Sequence, residues 1–410
     1  MPHKTEWRLF GSRLIIATEQ SQGKYSYELV TAITRSQEYF SIIRGIKMGI
    51  TMKDSGLQCS IFDGENPLKI TKPLRLIELF AGIGAQAKAL ENLGVNFEHY
   101  RICEFDKYAV ASYNAVHGTN FETSDITKIH ADDLGIVESY KYEYIMTYSF
   151  PCTDLSTAGK QKGMSRDSGT RSGLLWEVER LLKETKELPQ ILLMENVPGV
   201  LAEKNKNDFL EWCGFLESLG YTSKYKILNA KDYGIPQNRD RVFMISFLQK
   251  NAIYNFPENR KMKPFIDFLE FDERYIIKPE KLTKTQKNCI KQIANQTISK
   301  AIRTGGLRSI DRHSWSVYSV ELRQSESFIK NKSLWIENLS KTICACHRNS
   351  YTIDGKIYFD YSPKECWRLM GFDDESFFKA EKVVSNSQLY KQAGNSIVVN
   401  VLMAIFEKLF

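Results

Sequence analysis

The chain has 410 residues, a net charge of +7, 42% hydrophobic and 26% charged residues, 24 Gly and 11 Pro. That length exceeds the roughly 250 to 300 residues of a single core and predicts two or three compact units, while the composition excludes a disordered, collagenous or coiled-coil chain. No apolar run reaches the roughly 18 residues that cross a bilayer, Met1-Pro2-His3-Lys4-Thr5-Glu6 leads into no signal-peptide core, and eight irregularly spaced Cys give no disulfide framework, so a cytoplasmic, membrane-free protein is expected.

In chain order, residues 1–70 read as an extension. Residues 27–45 resemble a compact helix-turn-helix whose second helix starts at Ser36 as cap and ends at Gly45, with a small helical cap packed on the core as the alternative. Residues 74–79 read as a short buried strand, closed by Phe80-Ala81-Gly82-Ile83-Gly84 and followed by a helical pattern over 85–93. A second apolar stretch, 100–103, ends at Glu104, about 20 positions past the glycine turn. Strands are predicted at 144–148, 191–194 and 241–247, with helices over 174–186 and 208–219 between them. This alternation predicts an α/β fold around a mostly parallel sheet. Residues 250–360 lose the rhythm and hold 20 Lys+Arg against 12 Asp+Glu, an excess of +8 that suits a polyanionic partner. Residues 395–410 close the chain as an amphipathic helix.

Several stretches carry chemistry. A glycine turn lets a ligand approach the backbone at a strand end, and Glu104 is placed to accept hydrogen bonds from ribose hydroxyls, so an adenosine-containing cofactor is the natural occupant. Such turns also arise for purely structural reasons. Ser149-Phe150-Pro151-Cys152-Thr153 follows a strand and sets Cys152 at the carboxyl edge of the sheet. Most free cysteines are buried and inert. Here residues 156–173 follow, with four glycines and the cations Lys160, Lys162, Arg166 and Arg171, and little to build a core. They read as a functional lid that grips phosphates and helps hold Cys152 as thiolate. Met194-Glu195-Asn196 brings a carboxylate to the same edge, and Gln237-Asn238-Arg239-Asp240-Arg241 sets alternate arginines on one face of the next strand. A thiol, a carboxylate and paired guanidiniums at strand ends make a nucleophilic site for a planar, hydrogen-bonding electrophile. Cys344-Ala345-Cys346-His347 is spaced too tightly for a four-ligand zinc site, and no metal is expected.

In their order, FAGIG, EFDKYA, SDI, FPC with its GKQKG loop, ENV, QNRDRVFMI, PKECWRLMGF and QAGNSIVVNVL resemble the motifs of the DNA cytosine-5 methyltransferases. They cover nearly all of residues 74–410 apart from the basic insert. The resemblance implies a Rossmann-like, S-adenosylmethionine-dependent methyltransferase domain (71–251 and 361–410) with a mostly parallel sheet, a smaller target-recognition domain (252–360) and an N-terminal extension (1–70), which in some members regulates the enzyme's own promoter. It implies methyl transfer to carbon 5 of a cytosine flipped out of a specific double-stranded DNA sequence, through a covalent Cys152 adduct. By the same resemblance Glu195 holds the ring nitrogen beside the carbonyl, and Arg241 contacts the carbonyl oxygen with Arg239 nearby. Phe80, Ala81, Gly82, Ile83 and Gly84 would form the methionine-side turn, Glu104 the ribose ligand and Phe105 an adenine-stacking ring. Asp125 and Ile126 would meet the adenine edge, while Phe150, Asn395 and Ser396 complete the pocket. DNA contacts would fall to Lys160, Lys162, Arg166, Gln237, Arg303, Gly305, Gly306 and Arg308, and Thr342-Ile343 resembles the recognition domain's Thr-Leu pair.

Three positions depart from the family pattern: Thr153 where Gln is most frequent, Ser149 where Gly is usual, and no Arg ahead of the PKE segment. The expected setting is a monomer of a bacterial or phage restriction-modification system, in which a cognate restriction endonuclease acts separately. Two other readings compete. The same chemistry on tRNA is opposed by the long basic insert and the missing Cys-Phe-Thr signature, and a DNA-binding regulator without catalysis is opposed by the intact Cys152, Glu195 and Arg241.

Overall fold

The computed structural model describes residues 5–10, 13–20, 24–31, 48–53, 56–61, 70–155, 162–166, 169–249, 252–278, 317–320, 335–345, 350–353 and 357–410. The chain divides into two compact units, Met1–Pro67 and Leu68–Phe410.

The first unit is β structure. Strands β1 (Thr5–Phe10), β2 (Arg13–Gln20) and β3 (Lys24–Thr31) form an antiparallel sheet in that order, and β4 (Met48–Lys53) pairs antiparallel with β5 (Gly56–Ile61). This corrects the helix-turn-helix expectation at its start: residues 27–31 lie in β3. The run Tyr25-Ser26-Tyr27-Glu28-Leu29 alternates with period two, which is a strand pattern, and Tyr and Val favour pleated backbone. The second helix of that motif lies outside the described residues.

The second unit is built on six strands: β6 (Leu74–Leu79), β7 (Phe97–Cys103), β8 (Glu143–Tyr148), β9 (Ile191–Asn196), β10 (Thr222–Asn229) and, after the two-residue β11 (Gln237–Asn238), β12 (Asp240–Phe247). Their order is β10-β12-β9-β8-β6-β7, with β7, β6, β8 and β9 parallel and β12 antiparallel to both β9 and β10. The sequence did not reveal β10, whose exposed Lys224, Tyr225 and Lys226 mark an edge strand with no continuous apolar run. The inner strands read clearly because both their faces are covered. Leu74, Leu76, Ile145, Leu193 and Phe243 enter one hydrophobic cluster, while Ile77, Leu79, Met146, Met194 and Val242 enter the other. The second cluster is closed by α4 (Leu175–Glu184) and α5 (Lys206–Ser218) through Leu175, Val178, Leu181, Trp212 and Leu216.

Helices α1 (Ala85–Asn92) and α2 (Lys107–His117) follow β6 and β7, and the short α3 (Ala131–Leu134) precedes β8. The chain end folds as α6 (Pro363–Leu369), α7 (Asp374–Glu381), α8 (Asn386–Asn395) and α9 (Val399–Phe406). The predicted single amphipathic helix over 395–410 is therefore corrected. Asn395 ends α8, the chain breaks at 396–398, and α9 is buried on nearly every side, with Val399, Val401, Leu402, Ala404, Ile405 and Phe406 all enclosed. It packs on α1 as a core element.

Within the insert, β13 (Val317–Val320), β14 (Trp335–Glu337), β16 (Ser350–Ile353) and β17 (Ile357–Asp360) form a sheet ordered β14-β13-β16-β17, while β15 (Ser340–Lys341) pairs parallel with β11. Packing does not break at residue 252. Tyr254, Phe265 and Phe268 join the same cluster as α9, and the Tyr254 hydroxyl donates to the Ile405 carbonyl (3.0 Å). Among the described residues, no helix is long and apolar enough to cross a membrane.

The chain leaves β6 for β7 on one side and returns to β8 on the other. Ligands of open α/β sheets bind at such a reversal, outside the carboxyl ends of the strands. Because β12 runs antiparallel to β9, its first residues reach this same edge, with Val242 opposite Asn196 and Phe243 opposite Glu195.

Candidate active site

At the end of β6 the backbone turns sharply, with positive φ at Phe80 (58°), Gly82 (56°) and Gly84 (75°). The Gly82 N–H donates to one oxygen of Glu104 and the Asp106 N–H to the other, each at 2.8 Å. Glu104 thus ties the glycine turn to the start of α2, and burial pushes its carboxyl above the usual range against those two donors. Phe105, next to it, leaves 78% of its surface exposed, a flat ring available for stacking. Asp125 accepts from the Thr127 hydroxyl (2.8 Å) and N–H (3.0 Å), bonds that hold it below the usual range.

A single cleft of about 1020 Å³ runs from this turn to the ends of β8, β9 and β12. It is lined by Phe80, Ala81, Gly82, Ile83, Glu104, Phe105, Asp125, Ile126, Phe150, Asn395 and Ser396, and equally by Cys152, Glu195, Arg239 and Arg241. Gly84 is the exception among the expected cofactor residues. It caps α1 in the left-handed region and does not line the cleft. A Cβ there would lie 2.3 Å from His117 Nε2 and 2.6 Å from the Tyr113 ring, so packing behind the turn requires the glycine.

At the far end of the cleft, Arg241 Nε lies 3.0 Å from Glu195 Oε1. Burial pushes the Glu195 carboxyl up, opposed by Arg241 and then Arg239. Burial also pushes the Cys152 thiol up, aided by Glu195 and opposed by the two arginines. The Asn196 side chain donates to the Phe150 carbonyl (3.0 Å) and accepts from Val197 N–H (2.8 Å), seating the Cys152 turn against β9.

The contacts give several expected site residues structural partners as well, and those of Gln237 correct its expected role at DNA. Arg239 is buried, and its guanidinium donates to the carbonyls of Ile343 (2.7 Å), Gly394 (2.9 Å) and Ser396 (2.8 Å). It clamps the insert and the α8–α9 junction onto the sheet edge and reaches Cys152 and Glu195 through its charge, although burial and then Arg241 push it down to about 9. Gln237 is fully buried, accepting from Ile343 N–H (3.0 Å) and donating to the Leu369 carbonyl (2.7 Å), which leaves no exposed group for DNA. Arg166 stacks 3.9 Å above Trp176 and pairs with Glu179 (2.5 Å) and Glu211 (2.7 Å), anchoring its loop to the body. The described part of the expected lid has two further ties: Trp176 Nε1 donates to the Met164 carbonyl (2.7 Å) and the Ser172 hydroxyl to the Pro151 carbonyl (2.7 Å). Lys162 is exposed, as a phosphate contact requires. Lys160, Arg303, Gly305, Gly306 and Arg308 lie outside the described residues.

Of the cleft wall formed by α8, the sequence reading named only its last residue, Asn395. Lys391 pairs with Asp106 (2.7 Å), Gln392 donates to the Tyr108 carbonyl (3.0 Å), and Gln388 faces the same space. Helical spacing from Gln392, inside the QAGNS stretch, would have found Gln388 one turn earlier. Among the described residues, five buried side-chain atoms lack a hydrogen-bond partner, and those of Ser124, Ser149, Arg239 and Gln388 belong to residues lining this cleft. Each such atom costs about 1 to 3 kcal/mol when left unpaired, so their concentration here fits a site made for a polar ligand.

Strand order, glycine turn and a thiol at the same sheet edge define a Rossmann-like methyltransferase fold with a nucleophilic site. The chain belongs to the C-5 cytosine-specific DNA methylase family, whose model matches residues 74–410. It is 33% identical over 394 residues to the type II methyltransferase M2.ScrFI of Lactococcus lactis subsp. cremoris, covering 82% of this chain and 99% of that one. It is 31% identical over 399 residues to the orphan methyltransferase M.SssI of Spiroplasma monobiae, covering 83% and 98%. Among solved structures, the Entamoeba histolytica methyltransferase EhMeth shares the fold at a TM-score of 0.55 and 20% identity, covering 83% of this chain and 98% of that one. The S. pombe Dnmt2 methyltransferase does so at 0.53 and 19%, covering 82% and 98%. The protein is thus an enzyme of the DNA cytosine-5 methyltransferase class.

Proposed function

We propose that the protein transfers a methyl group from S-adenosylmethionine to carbon 5 of a cytosine extruded from a specific duplex DNA sequence, through a covalent Cys152 adduct. The observation that carries this reading is the meeting of Cys152, Glu195 and Arg241 in the same cleft as the glycine turn and Glu104. When bound, S-adenosylmethionine supplies the methyl group. The turn from Phe80 to Ile83, Glu104, Phe105, Asp125, Ile126, Asn395 and Ser396 would hold it, with the unpartnered groups of Ser124, Ser149 and Gln388 available as further hydrogen-bond partners.

The remaining chemistry belongs to this chain. The Cys152 thiolate bonds to carbon 6 of the ring, and the electron pair of the 5,6 double bond moves to carbon 5, where the methyl group is accepted. Glu195, whose carboxyl burial pushes above the usual range against Arg241, donates to the ring nitrogen when it carries a proton, while Arg241 stabilises negative charge on the carbonyl oxygen. Loss of the carbon 5 proton to a base then expels the thiolate and restores the aromatic ring. A stacked base cannot reach Cys152, so it must leave the helix at a cost of a few kcal/mol. The +8 excess of residues 250–360 supports a role for the insert in holding phosphates and reading the target, with Lys162, Lys160, Arg303, Gly305, Gly306 and Arg308 as DNA contacts.

The test starts from bisulfite mapping of DNA from a host that expresses the protein, which identifies the target. A duplex carrying 5-fluorocytosine there should trap the enzyme covalently through Cys152, because fluorine cannot leave as a proton does. No adduct, or an adduct on another cysteine, would overturn the reading.

A further inference from the structure

Behind the glycine turn, at residues that do not line the cleft, three side chains converge from three elements. They are Glu91 near the end of α1, His99 in β7 and His117 at the end of α2, with one donor atom of each within 4.8 Å of the others. Glu91 Oε1 lies 2.6 Å from His117 Nδ1 and 3.6 Å from His99 Nε2.

The far ring nitrogens settle where the hydrogens go. His117 Nε2 lies 3.2 Å from the Ile83 carbonyl oxygen, which can only accept, so this nitrogen carries the hydrogen. His99 Nδ1 lies 3.2 Å from the Tyr113 hydroxyl, which spends its own proton on Glu78 at 2.5 Å and so accepts from His99. In neutral rings the two remaining nitrogens are bare, and both face a carboxylate oxygen. A positive charge belongs among these three atoms, either a proton held between His117 Nδ1 and Glu91 or a metal ion that displaces it. Lys88 does not supply it, since it lies 3.6 Å from the other Glu91 oxygen and pairs at 2.7 Å with Asp373.

We propose that Glu91, His99 and His117 bind a divalent transition-metal ion of the zinc class, with water as the fourth ligand. Two imidazoles and a carboxylate form a donor set suited to zinc. Tetrahedral bonds of about 2.0 to 2.2 Å set donors roughly 3.4 Å apart; Glu91 Oε1 and His99 Nε2 stand near that spacing at 3.6 Å, while His117 Nδ1, hydrogen-bonded to Glu91 at 2.6 Å, must give up that proton and draw back by under about 1 Å to ligate. Hydrogen bonds from the far ring nitrogens to a carbonyl and a hydroxyl are the outer contacts that orient ligating histidines. The His99 and Glu91 side chains, 20% and 29% exposed, leave a path for the ion and its water. His117 also touches the Gly84 position and holds the Ile83 carbonyl, so an ion there steadies the glycine turn and couples metal loading to cofactor affinity. The three ligands are scattered in sequence, which is why no metal was expected from spacing.

The experiment uses the full-length protein, stripped by chelator and dialysed, with Co²⁺ and Zn²⁺ as probes. One equivalent of Co²⁺ should bind with visible absorption bands but no intense near-ultraviolet thiolate band, and Zn²⁺ should displace it. Zn²⁺ should protect His99 from diethylpyrocarbonate in the unmodified sequence. His99→Gln and Glu91→Gln should weaken binding by about a hundredfold and Tyr113→Phe by about tenfold. In His99→Gln, S-adenosylmethionine affinity should no longer respond to Zn²⁺. Absence of one-equivalent binding, a thiolate band placing the ion on cysteines, or no protection of His99 would overturn the proposal. The protection experiment needs no variant, so a misfolded substitution cannot leave the question open.

Discussion

Arg241 sets the electrostatics of the reacting edge. It opposes the desolvation that raises both the Cys152 thiol and the Glu195 carboxyl. The active form needs Cys152 as thiolate and Glu195 protonated, so both groups bound the pH profile of methyl transfer. Removing the Arg241 charge in Arg241→Ala lets both titrations rise, and the whole profile should move to higher pH. The maximum should fall on the order of 100-fold, as for loss of one donor at a developing negative charge. Single-turnover rates across pH measure both effects, and an unshifted profile would show that Arg241 acts only through shape. Glu78 offers a stability counterpart. It is fully buried, accepts from the Tyr113 hydroxyl, and burial pushes it from 4.5 up to about 7. An acid whose folded value is raised favours folding below the unfolded value and loses that contribution as pH rises through the folded one. Between pH 4.5 and 7, wild-type stability should therefore fall by roughly 3 kcal/mol relative to Glu78→Gln, which keeps the protonated pattern throughout. Urea unfolding at the two ends of that window measures it.

At the scale of elements, the cleft exists because α8 and the irregular residues 342–345 after β15 are drawn onto the sheet edge. Arg239 supplies the polar tie, and Gly394 supplies the room: a Cβ there would lie 2.0 Å from Ala345 N and 2.4 Å from the Cys344 carbonyl carbon. Both neighbours are backbone and cannot rotate away. Gly394→Ala should cost on the order of 1 to 3 kcal/mol by overpacking and push residues 342–345 off the edge. A lowered thermal midpoint with reduced methylation is the expected outcome. Normal values of both would mean that the junction yields more easily than its backbone contacts imply.

At the scale of the molecule, the insert is only partly separable from the body. Tyr254, Phe265, Phe268, Tyr351 and Phe359 share a hydrophobic cluster with Trp367 and α9. Exchanging residues 252–360 for those of a relative with another target removes these side chains from the core, and the chimera should melt several degrees lower. Exchanging 279–337 leaves them in place. That narrower chimera should keep its thermal midpoint and methylate a different sequence, read by genome-wide mapping. An active chimera with the original target would place specificity elsewhere.

What the sequence determined by itself were features whose cause is local. Strands buried on both faces must be apolar runs, turns at their ends need glycine, and a thiol just after a strand or a carboxylate among its last residues lands on the sheet edge, so the parallel core, the glycine turn and the positions of Cys152 and Glu195 were legible. Tertiary structure decided the rest. Arg239 and Gln237 looked like exposed polar residues of a motif, but their partners are carbonyls and amides more than 100 positions away. The break between α8 and α9 follows from burying α9 on every side, which no single-face periodicity encodes. Glu91, His99 and His117 meet only because α1, β7 and α2 close behind one turn. A motif records neighbours along the chain, whereas a hydrogen-bond partner or a shared ion is chosen by which segments the closed core brings together.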